Sequence, residues 1–236
     1  LLYAAEVRHI AQDAAFLGMK PGDVPFDWAA VMARKDGLIR EFADDRAGQL
    51  TDGRFHFLRA QARFVDPQTV ALSSGGTLSA AHFVISTGSV VSPPPLPQLG
   101  SVGFLTSDEA LALHRPPKSL IVLGGGAVAL EFAQLFARFD VKVTLIQRSG
   151  RVLRESDEDA AVEIEKVFRR EGIELFTGTM LTDAWREGAS KGVTFIHEGK
   201  QKRVAAEEIL FALGRSPNTT SLALAKAGVT TDKGRV

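Results

Sequence analysis

Residues 120–146 have the sequence LIVLGGGAVALEFAQLFARFDVKVTLI, in which an apolar run, a glycine turn, a helical pattern and a second apolar run follow one another. The turn fits the pattern G-x-G-x-x-G/A through Gly124, Gly126 and Ala129. Gly124 permits the tight turn, Gly126 lets the backbone approach a pyrophosphate, and the small Ala129 lets the helix pack on the sheet. The pyrophosphate would lie on the helix N-terminus. A glycine turn can serve packing alone, but the complete strand, helix, strand unit favours a dinucleotide site.

The sequence on either side of this unit predicts an α/β fold with a parallel sheet. Strands alternate with helices, and crossovers of this length join parallel strands. A small β-meander is predicted at 180–208, and Ser156 and Asp159 are placed like a capping box. We therefore expect a Rossmann-like three-layer nucleotide-binding domain at residues 116–216. The strands are predicted at 120–123, 141–146, 173–176 and 209–213, and the helices at about 127–139 and 157–171.

The residues before this domain predict helices followed by short strands. A helical pattern covers residues 1–17, and a second helix begins after Asp27, its predicted N-cap, and ends near Gly48. Four β-type runs predict an antiparallel meander and then a buried strand. The proline-rich segment SPPPLP at 92–97 is the predicted domain linker, because it cannot continue a helix or a central strand. The four runs are FHFL at 55–58, ARFV at 62–65, TVAL at 69–72 and HFVIS at 82–86.

Composition narrows the class of protein. The 28 basic residues balance 28 acidic ones, which argues against a nucleic-acid or membrane surface. Cysteine is absent and the five histidines lack ligand spacing, so we predict no metal site and assign no catalytic residue within these residues. The uncharged run at 119–130 is far shorter than the roughly 20 residues of a membrane span. With no signal-peptide pattern at the start, the expectation is a soluble, cytoplasmic protein.

Four segments in fixed order resemble one family, the flavin-dependent pyridine nucleotide–disulfide oxidoreductases such as glutathione reductase, dihydrolipoamide dehydrogenase and mercuric reductase. The resemblance implies hydride transfer from NAD(P)H to FAD and then to a small-molecule disulfide or metal-ion substrate, in a cytoplasmic homodimer. The four segments are LLYAAEV at 1–7, FVISTGS at 83–89, GGGAVALEFAQ at 124–134 and ALGRSPN at 212–218.

The resemblance also assigns residues to the FAD side. Ala62 is similar to the position whose backbone meets the flavin adenine, and Thr87 and Gly88 resemble the strand-end pair near FAD. Residues 1–115 are then part of an FAD-binding domain, and residues 217–236 begin the segment that returns to it. The fold class is accordingly α/β with a nucleotide-binding domain and an incomplete FAD-domain portion.

On the NAD(P)H side the resemblance gives three further residues. Glu131 is similar to the helix glutamate that pairs with a lysine beside the flavin. Its apolar neighbours in the sequence lead us to expect that its charge is buried and needs a partner. Gly214 and Arg215 resemble the loop between the two cofactors in this family.

The chain also departs from the family pattern. The family's FAD glycine loop, its C-x4-C disulfide and the flavin-side lysine would precede Leu1, and its dimer domain would follow Val236. We therefore expect that these residues hold FAD weakly or not at all. Two hypotheses stay open: part of a flavoenzyme, or an isolated NAD(P)H-binding module without turnover. The identity of the electron acceptor stays open too.

The nicotinamide cofactor is predicted from the residues after the second strand. An NAD site places an acidic residue there to accept the ribose hydroxyls, but this chain has the neutral Gln147. Arg148 and Arg154 flank it at a spacing that resembles the arginine pair of NADPH-using glutathione reductases. A guanidinium pairs bidentately with a phosphate, so NADP is favoured over NAD as the cofactor.

Overall fold

The chain divides into two units, each of which combines separated stretches of sequence. The computed structural model describes residues 1–20 and 22–236. The first unit contains Leu1–Ile39 and Pro93–Gly214, and the second contains Arg40–Ser92 and Arg215–Val236. One boundary between the units falls between Ser92 and Pro93, at the start of the predicted linker. The assignment of 1–115, 116–216 and 217–236 to different cofactors stays a prediction.

A four-stranded parallel sheet forms the centre of the first unit, in the order β11-β5-β6-β7. This arrangement confirms the predicted α/β class with a parallel sheet. Helix α5 connects β5 to β6 and helix α6 connects β6 to β7, as the strand–helix alternation indicates. The elements are β5 (Ser119–Leu123), α5 (Ala127–Ala137), β6 (Lys142–Ile146), α6 (Glu158–Arg170), β7 (Glu174–Phe176) and β11 (Glu208–Phe211).

Both faces of this sheet are covered, which explains why its strands are apolar without interruption. One face packs against α5 and α6, whose buried residues include Ala129, Phe136 and Phe168. An antiparallel meander contributes to the other side, where the rings of Phe176 and Phe195 lie 5.2 Å apart. The meander strands are β8 (Met180–Glu187), β9 (Ser190–His197) and β10 (Lys200–Ala206), at the predicted position.

The N-terminal helix and the first part of the next helix, as far as Ile39, also belong to the first unit. The predicted cap Asp27 accepts a hydrogen bond from the N–H of Ala30 at 3.1 Å. Trp28 is buried, and its indole N–H donates to the carbonyl of Leu113 at 2.8 Å. Arg8, only 6% exposed, forms an ion pair with Asp140. These helices are α1 (Leu2–Gln12) and α2 (Trp28–Thr51), and two short helices, α3 (Pro97–Val102) and α4 (Ser107–Ala110), follow later.

The second unit contains two small antiparallel arrangements. Strands β1, β2 and β3 form one sheet, and β4 pairs with β12. Phe64 and Val70 pack with Leu222 and Leu224 in its hydrophobic cluster. Two of the four predicted β-type runs, ARFV and TVAL, are confirmed as strands. The bounds are β1 (Ala62–Asp66), β2 (Thr69–Leu72), β3 (Thr77–Ser79), β4 (Ser89–Val91) and β12 (Arg215–Pro217).

Three local predictions were wrong. Residues 55–58 and 82–86 form no strand in the described structure, and Val84 is 94% exposed. Ser156 does not cap α6: Asp157 is the N-cap, with no side-chain capping bond in the described residues. The Ser156 carbonyl instead accepts from Arg151 at 2.8 Å, because Ser156 belongs to the preceding turn. No helix in the described ranges is long and apolar enough to cross a membrane.

Candidate nucleotide-binding site

A cavity of about 740 Å³ lies in the first unit at the carboxyl ends of β5, β6 and β11. This edge is where open parallel sheets bind ligands. Its walls are the glycine turn, the loop after β6, the ends of two further strands and part of the proline-rich segment. The wall segments are 124–127, 146–149, 153–156, 179–181 and 212–214, together with Pro93, Pro95 and Leu96.

The glycine turn combines one crowded position with one open position. Gly124 has a φ of +122°, and a Cβ there would lie 2.3 Å from the carbonyl oxygen of Ala212. Only glycine accepts both this conformation and this close approach. Gly126 is the N-cap of α5, and a Cβ there would meet no described atom within 4 Å. The start of α5, where Gly126 has no side-chain cap, therefore adjoins open space, and this arrangement suits an anion.

The loop after β6 places a neutral side chain directly beside this turn. A Cβ on Gly125 would come within 2.9 Å of the Gln147 side chain. The main-chain carbonyl oxygen of Gln147 accepts from the backbone N–H of Thr179 at 3.1 Å and from the Thr179 hydroxyl at 3.0 Å. Its amide oxygen accepts from the N–H of Arg148 at 3.1 Å. Gln147 is thus held on both sides, and its amide is already used within the loop.

The arginines of this loop differ in what they contact. Within the described residues, the exposed guanidinium of Arg148 makes no ion pair or hydrogen bond. Arg151 donates to the carbonyls of Ser156 at 2.8 Å and Arg154 at 3.1 Å, so it shapes the turn. Arg154 forms an ion pair with Glu155 at 2.7 Å, and both side chains are exposed. Arg148 is therefore the arginine with an uncommitted charge at the cavity.

A backbone hydrogen bond joins this loop to the glycine turn. The N–H of Leu153 donates to the carbonyl of Gly125 at 2.7 Å, with Leu153 in the left-handed region at φ +44°. The neighbouring Val152 is fully buried, and its N–H donates to Glu165 at 3.1 Å. The glycine-turn end and the arginine end of the cavity are consequently joined by a backbone hydrogen bond.

The structure brings together about half of the predicted site residues. Ala129 lies in α5 and is buried, as packing of this helix on the sheet requires. Glu131 does not line this cavity: it is exposed on a separate groove of about 500 Å³ formed by α1, α5 and α6. The expectation that its charge is buried is wrong, because the apolar residues beside it in sequence lie on the other faces of α5. The predicted residues that line the cavity are Gly124, Gly126, Gln147, Arg148, Arg154 and Gly214.

Two predicted FAD-side residues, Thr87 and Gly88, belong to the second unit together with Arg215, the residue predicted between the two cofactors. Arg215 donates to the hydroxyl of Ser89 at 2.8 Å and to its carbonyl at 2.6 Å. Asn218 donates from its side chain to the Thr87 carbonyl at 3.2 Å and from its N–H to the Gly88 carbonyl at 3.0 Å. Hydrogen bonds therefore join residues 87–89 to residues 215–218.

Ala62 lies in a different sheet of the second unit from Ser89 and Arg215. It is in β1, opposite Leu72, and packs against the hydrophobic cluster of the second unit. The structure thus gives Ala62 a packing role, and a role at the flavin adenine stays a prediction.

Several lining residues were missed by the sequence reasoning. Thr179 follows the third parallel strand, so the rule that ligands bind at strand carboxyl ends would have found it. Pro93 and Pro95 were interpreted only as linker, and Glu155 was not assigned to the site. Leu153 carried no signal, because its role depends on a backbone hydrogen bond. Among the described residues no group of three acidic or histidine side chains could hold a metal ion.

The comparisons with known proteins agree on one family. The sequence matches the pyridine nucleotide-disulphide oxidoreductase family over residues 1–236. It is similar to a mercuric reductase of Lysinibacillus sphaericus, with 36% identity over 234 residues, 99% of this chain and 43% of that protein. A dihydrolipoyl dehydrogenase of Thermus scotoductus is 33% identical over 239 residues, 99% of this chain and 50% of that protein.

A solved structure supports the same fold. The HOCl-induced flavoprotein disulfide reductase RclA from Escherichia coli matches with a TM-score of 0.80 and 24% identity, over 99% of this chain and 51% of that chain. The resemblance inferred from the four sequence segments is therefore confirmed at the level of the family. The chain spans about half the length of these relatives, or somewhat less.

Proposed function

The chain belongs to the pyridine nucleotide-disulphide oxidoreductase family, and on that premise we propose that it supplies the NAD(P)H-binding part of a flavoprotein oxidoreductase. In the whole protein, hydride passes from NAD(P)H to FAD and on to a disulfide or a related acceptor such as a metal ion. The nicotinamide nucleotide supplies the hydride when bound. The residues of this chain bind and orient that nucleotide.

One observation carries this proposal: the open space at Gly126. The turn leaves room for a pyrophosphate at the start of α5, whose first N–H groups lack intrahelical partners. Gly124 fixes the turn against Ala212 from the other side. The cavity that adjoins it is large enough for a nucleotide.

NADP is the proposed nucleotide, with NAD as the alternative. The Gln147 amide is engaged by the Arg148 N–H, so a ribose hydroxyl would have to compete for it. Arg148 lies at the cavity wall and its guanidinium has no partner among the described residues, so a 2′-phosphate is a suitable partner for it. Gln147 also bears no charge that would repel a phosphate. Arg154 is proposed as the second phosphate ligand.

Titration of the 236-residue chain with NADPH and NADH tests this assignment. NADPH should bind more tightly, and Arg148→Ala should weaken NADPH binding by about tenfold to a hundredfold, the value of a charge-assisted hydrogen bond. NADH affinity should stay nearly unchanged. Arg170→Ala is the matched control, because Arg170 is an exposed arginine at the end of α6 that does not line the cavity. Equal affinities for the two nucleotides at low salt would contradict the preference for NADP.

The second hypothesis, a nucleotide-binding module without turnover, differs in flavin content. The 236 residues contain one G-x-G-x-x-G/A turn, and the first unit uses it beside the cavity. We propose that this chain by itself holds the pyridine nucleotide and binds FAD weakly or not at all. Its purified solution should then be colourless, whereas flavin absorbance in a stoichiometric amount would contradict the proposal.

The proposed FAD contacts in this chain are limited to the second unit. Thr87 and Gly88 accept hydrogen bonds from Asn218 there, Arg215 donates to Ser89, and Ala62 lies in β1. Glu131, exposed on the helical groove, is proposed to meet a basic partner near the flavin, and Gly214 to lie between the cofactors. For the whole protein we propose a cytoplasmic homodimer, which sedimentation and cell fractionation would test.

A further inference from the structure

The wall of the cavity contains an acidic residue next to the proposed phosphate site. Glu155 lines the cavity together with Arg148 and Arg154. Its carboxylate accepts from Arg154 Nη2 at 2.7 Å and from Nε at 3.0 Å. Both donors thus come from one edge of the guanidinium. A phosphate that binds this edge of Arg154 competes with the carboxylate, and one that binds the Nη1 side still lies next to its negative charge.

We propose that Glu155 is a specificity-determining residue that reduces the preference for a 2′-phosphate by occupying Arg154. This inference rests on the proposed nucleotide site and adds a residue that opposes its two arginines. Among the described residues no carboxylate pairs with Arg148, whereas Glu155 occupies the Nε–Nη2 edge of Arg154. The selectivity of the site is then set by three side chains instead of two.

The geometry of the loop favours this competition. Arg151 holds the carbonyls of Arg154 and Ser156, so the backbone on both sides of Glu155 is fixed. Neighbouring positions in the turn keep the carboxylate and the guanidinium within reach of each other. The pair is exposed, however, with 62% of the Arg154 side chain and 84% of the Glu155 side chain accessible. Water and salt therefore weaken it, and the effect on binding must be modest.

The test measures binding of adenosine 2′,5′-bisphosphate and AMP to the 236-residue chain by titration calorimetry. These probes differ only in the 2′-phosphate, and neither requires flavin or turnover. Glu155→Gln should raise the affinity for the bisphosphate about twofold to fivefold at low salt, as expected for an exposed ion pair. The affinity for AMP should not change. Glu158→Gln is the matched control, since Glu158 is an exposed glutamate three residues away that does not line the cavity.

A double-mutant cycle tests whether Glu155 acts through Arg154. In an Arg154→Gln background, Glu155→Gln should no longer raise the affinity for the bisphosphate. A gain that persists there would mean simple charge repulsion and would overturn the proposal, as would no gain in the unmodified background. If the unmodified chain bound the two probes with equal affinity, and Arg148→Ala changed neither affinity, the proposed phosphate site itself would be refuted. The two failures are therefore distinguishable.

Discussion

Adding one methyl group should lower the stability of the fold at one position of the glycine turn and weaken nucleotide binding at another. In Gly124→Ala, the new Cβ would lie 2.3 Å from the Ala212 oxygen, at a backbone φ of +122°. The strained conformation and the overlap together should cost about 2–6 kcal/mol of unfolding free energy. Since domains are stable by only about 5–15 kcal/mol, this is a large fraction. The first unit should become marginal.

Gly126→Ala should spare stability and damage binding. Its φ is −82°, an ordinary value, and no described atom lies within 4 Å of the new Cβ. The change in unfolding free energy should stay within about 1 kcal/mol. The methyl group would stand in the space proposed for the pyrophosphate. Affinity for both NADPH and NADH should then fall more than about tenfold, the cost of losing one hydrogen bond to a charged group.

Intrinsic fluorescence during urea unfolding measures the stability of the relevant unit. Both tryptophans of the chain, Trp28 and Trp185, lie in the first unit, so their signal reports on its unfolding. Gly37→Ala is the control, because Gly37 lies in α2 with open space around it and alanine favours a helix there. The reasoning fails if Gly124→Ala leaves the urea midpoint unchanged, or if Gly126→Ala lowers it as much as Gly124→Ala does.

Two further predictions concern stability. Burial raises the pKa of the Glu171 carboxyl, but hydrogen bonds and the charge of Arg138 outweigh it and hold the pKa below the ordinary 4.5. This carboxylate therefore stabilises the fold above pH 4.5, and its contribution is lost as pH falls through the lower folded-state pKa. Glu171→Gln should cost about 2 kcal/mol at pH 7 and flatten the acid limb of urea midpoints against pH. Gly192→Ala should cost about 1–3 kcal/mol and shift tryptophan emission, because its Cβ would lie 2.2 Å from the Trp185 ring; an unchanged midpoint would contradict it.

The parallel sheet was predictable because its signals are local and mutually consistent. Each strand is a short apolar run, and each crossover helix begins and ends within three residues of its expected bounds. The pairing of the sheet then follows from the handedness and length of the crossovers. Gly124 and Ala129 were assigned correct structural roles for the same reason, since the pattern that contains them specifies a turn and a helix contact.

The failed strand predictions show what periodicity leaves out. A strand needs a neighbour to bond its N–H and carbonyl groups, and an apolar run does not say whether one is present. At 82–86, Phe83 and Ile85 pack on the cluster of the second unit while Val84 is exposed. The alternation of burial is therefore real, but no described strand pairs with it.

The predicted cap at Ser156 failed because a neighbouring turn uses its backbone atoms. Thr106 and Glu109 fit the same capping-box pattern as Ser156 and Asp159, and the structure forms only the former in its described part. Ser156 is unavailable because its N–H already donates to Leu153 and its carbonyl accepts from Arg151. A motif thus predicts a cap only where no neighbouring turn uses the same atoms.

A position that the dinucleotide pattern leaves unspecified is also constrained by its neighbours. Gly125 occupies the x between the two defined glycines, yet the Gln147 side chain lies against it and its carbonyl accepts from Leu153. A side chain at this position would push the arginine loop away from the glycine turn. In the proposed site, the pyrophosphate contacts the glycine turn and the 2′-phosphate contacts the arginine loop, at the separation fixed by one nucleotide. We therefore expect Gly125 to connect recognition of the shared part of NADH and NADPH to recognition of the part in which they differ.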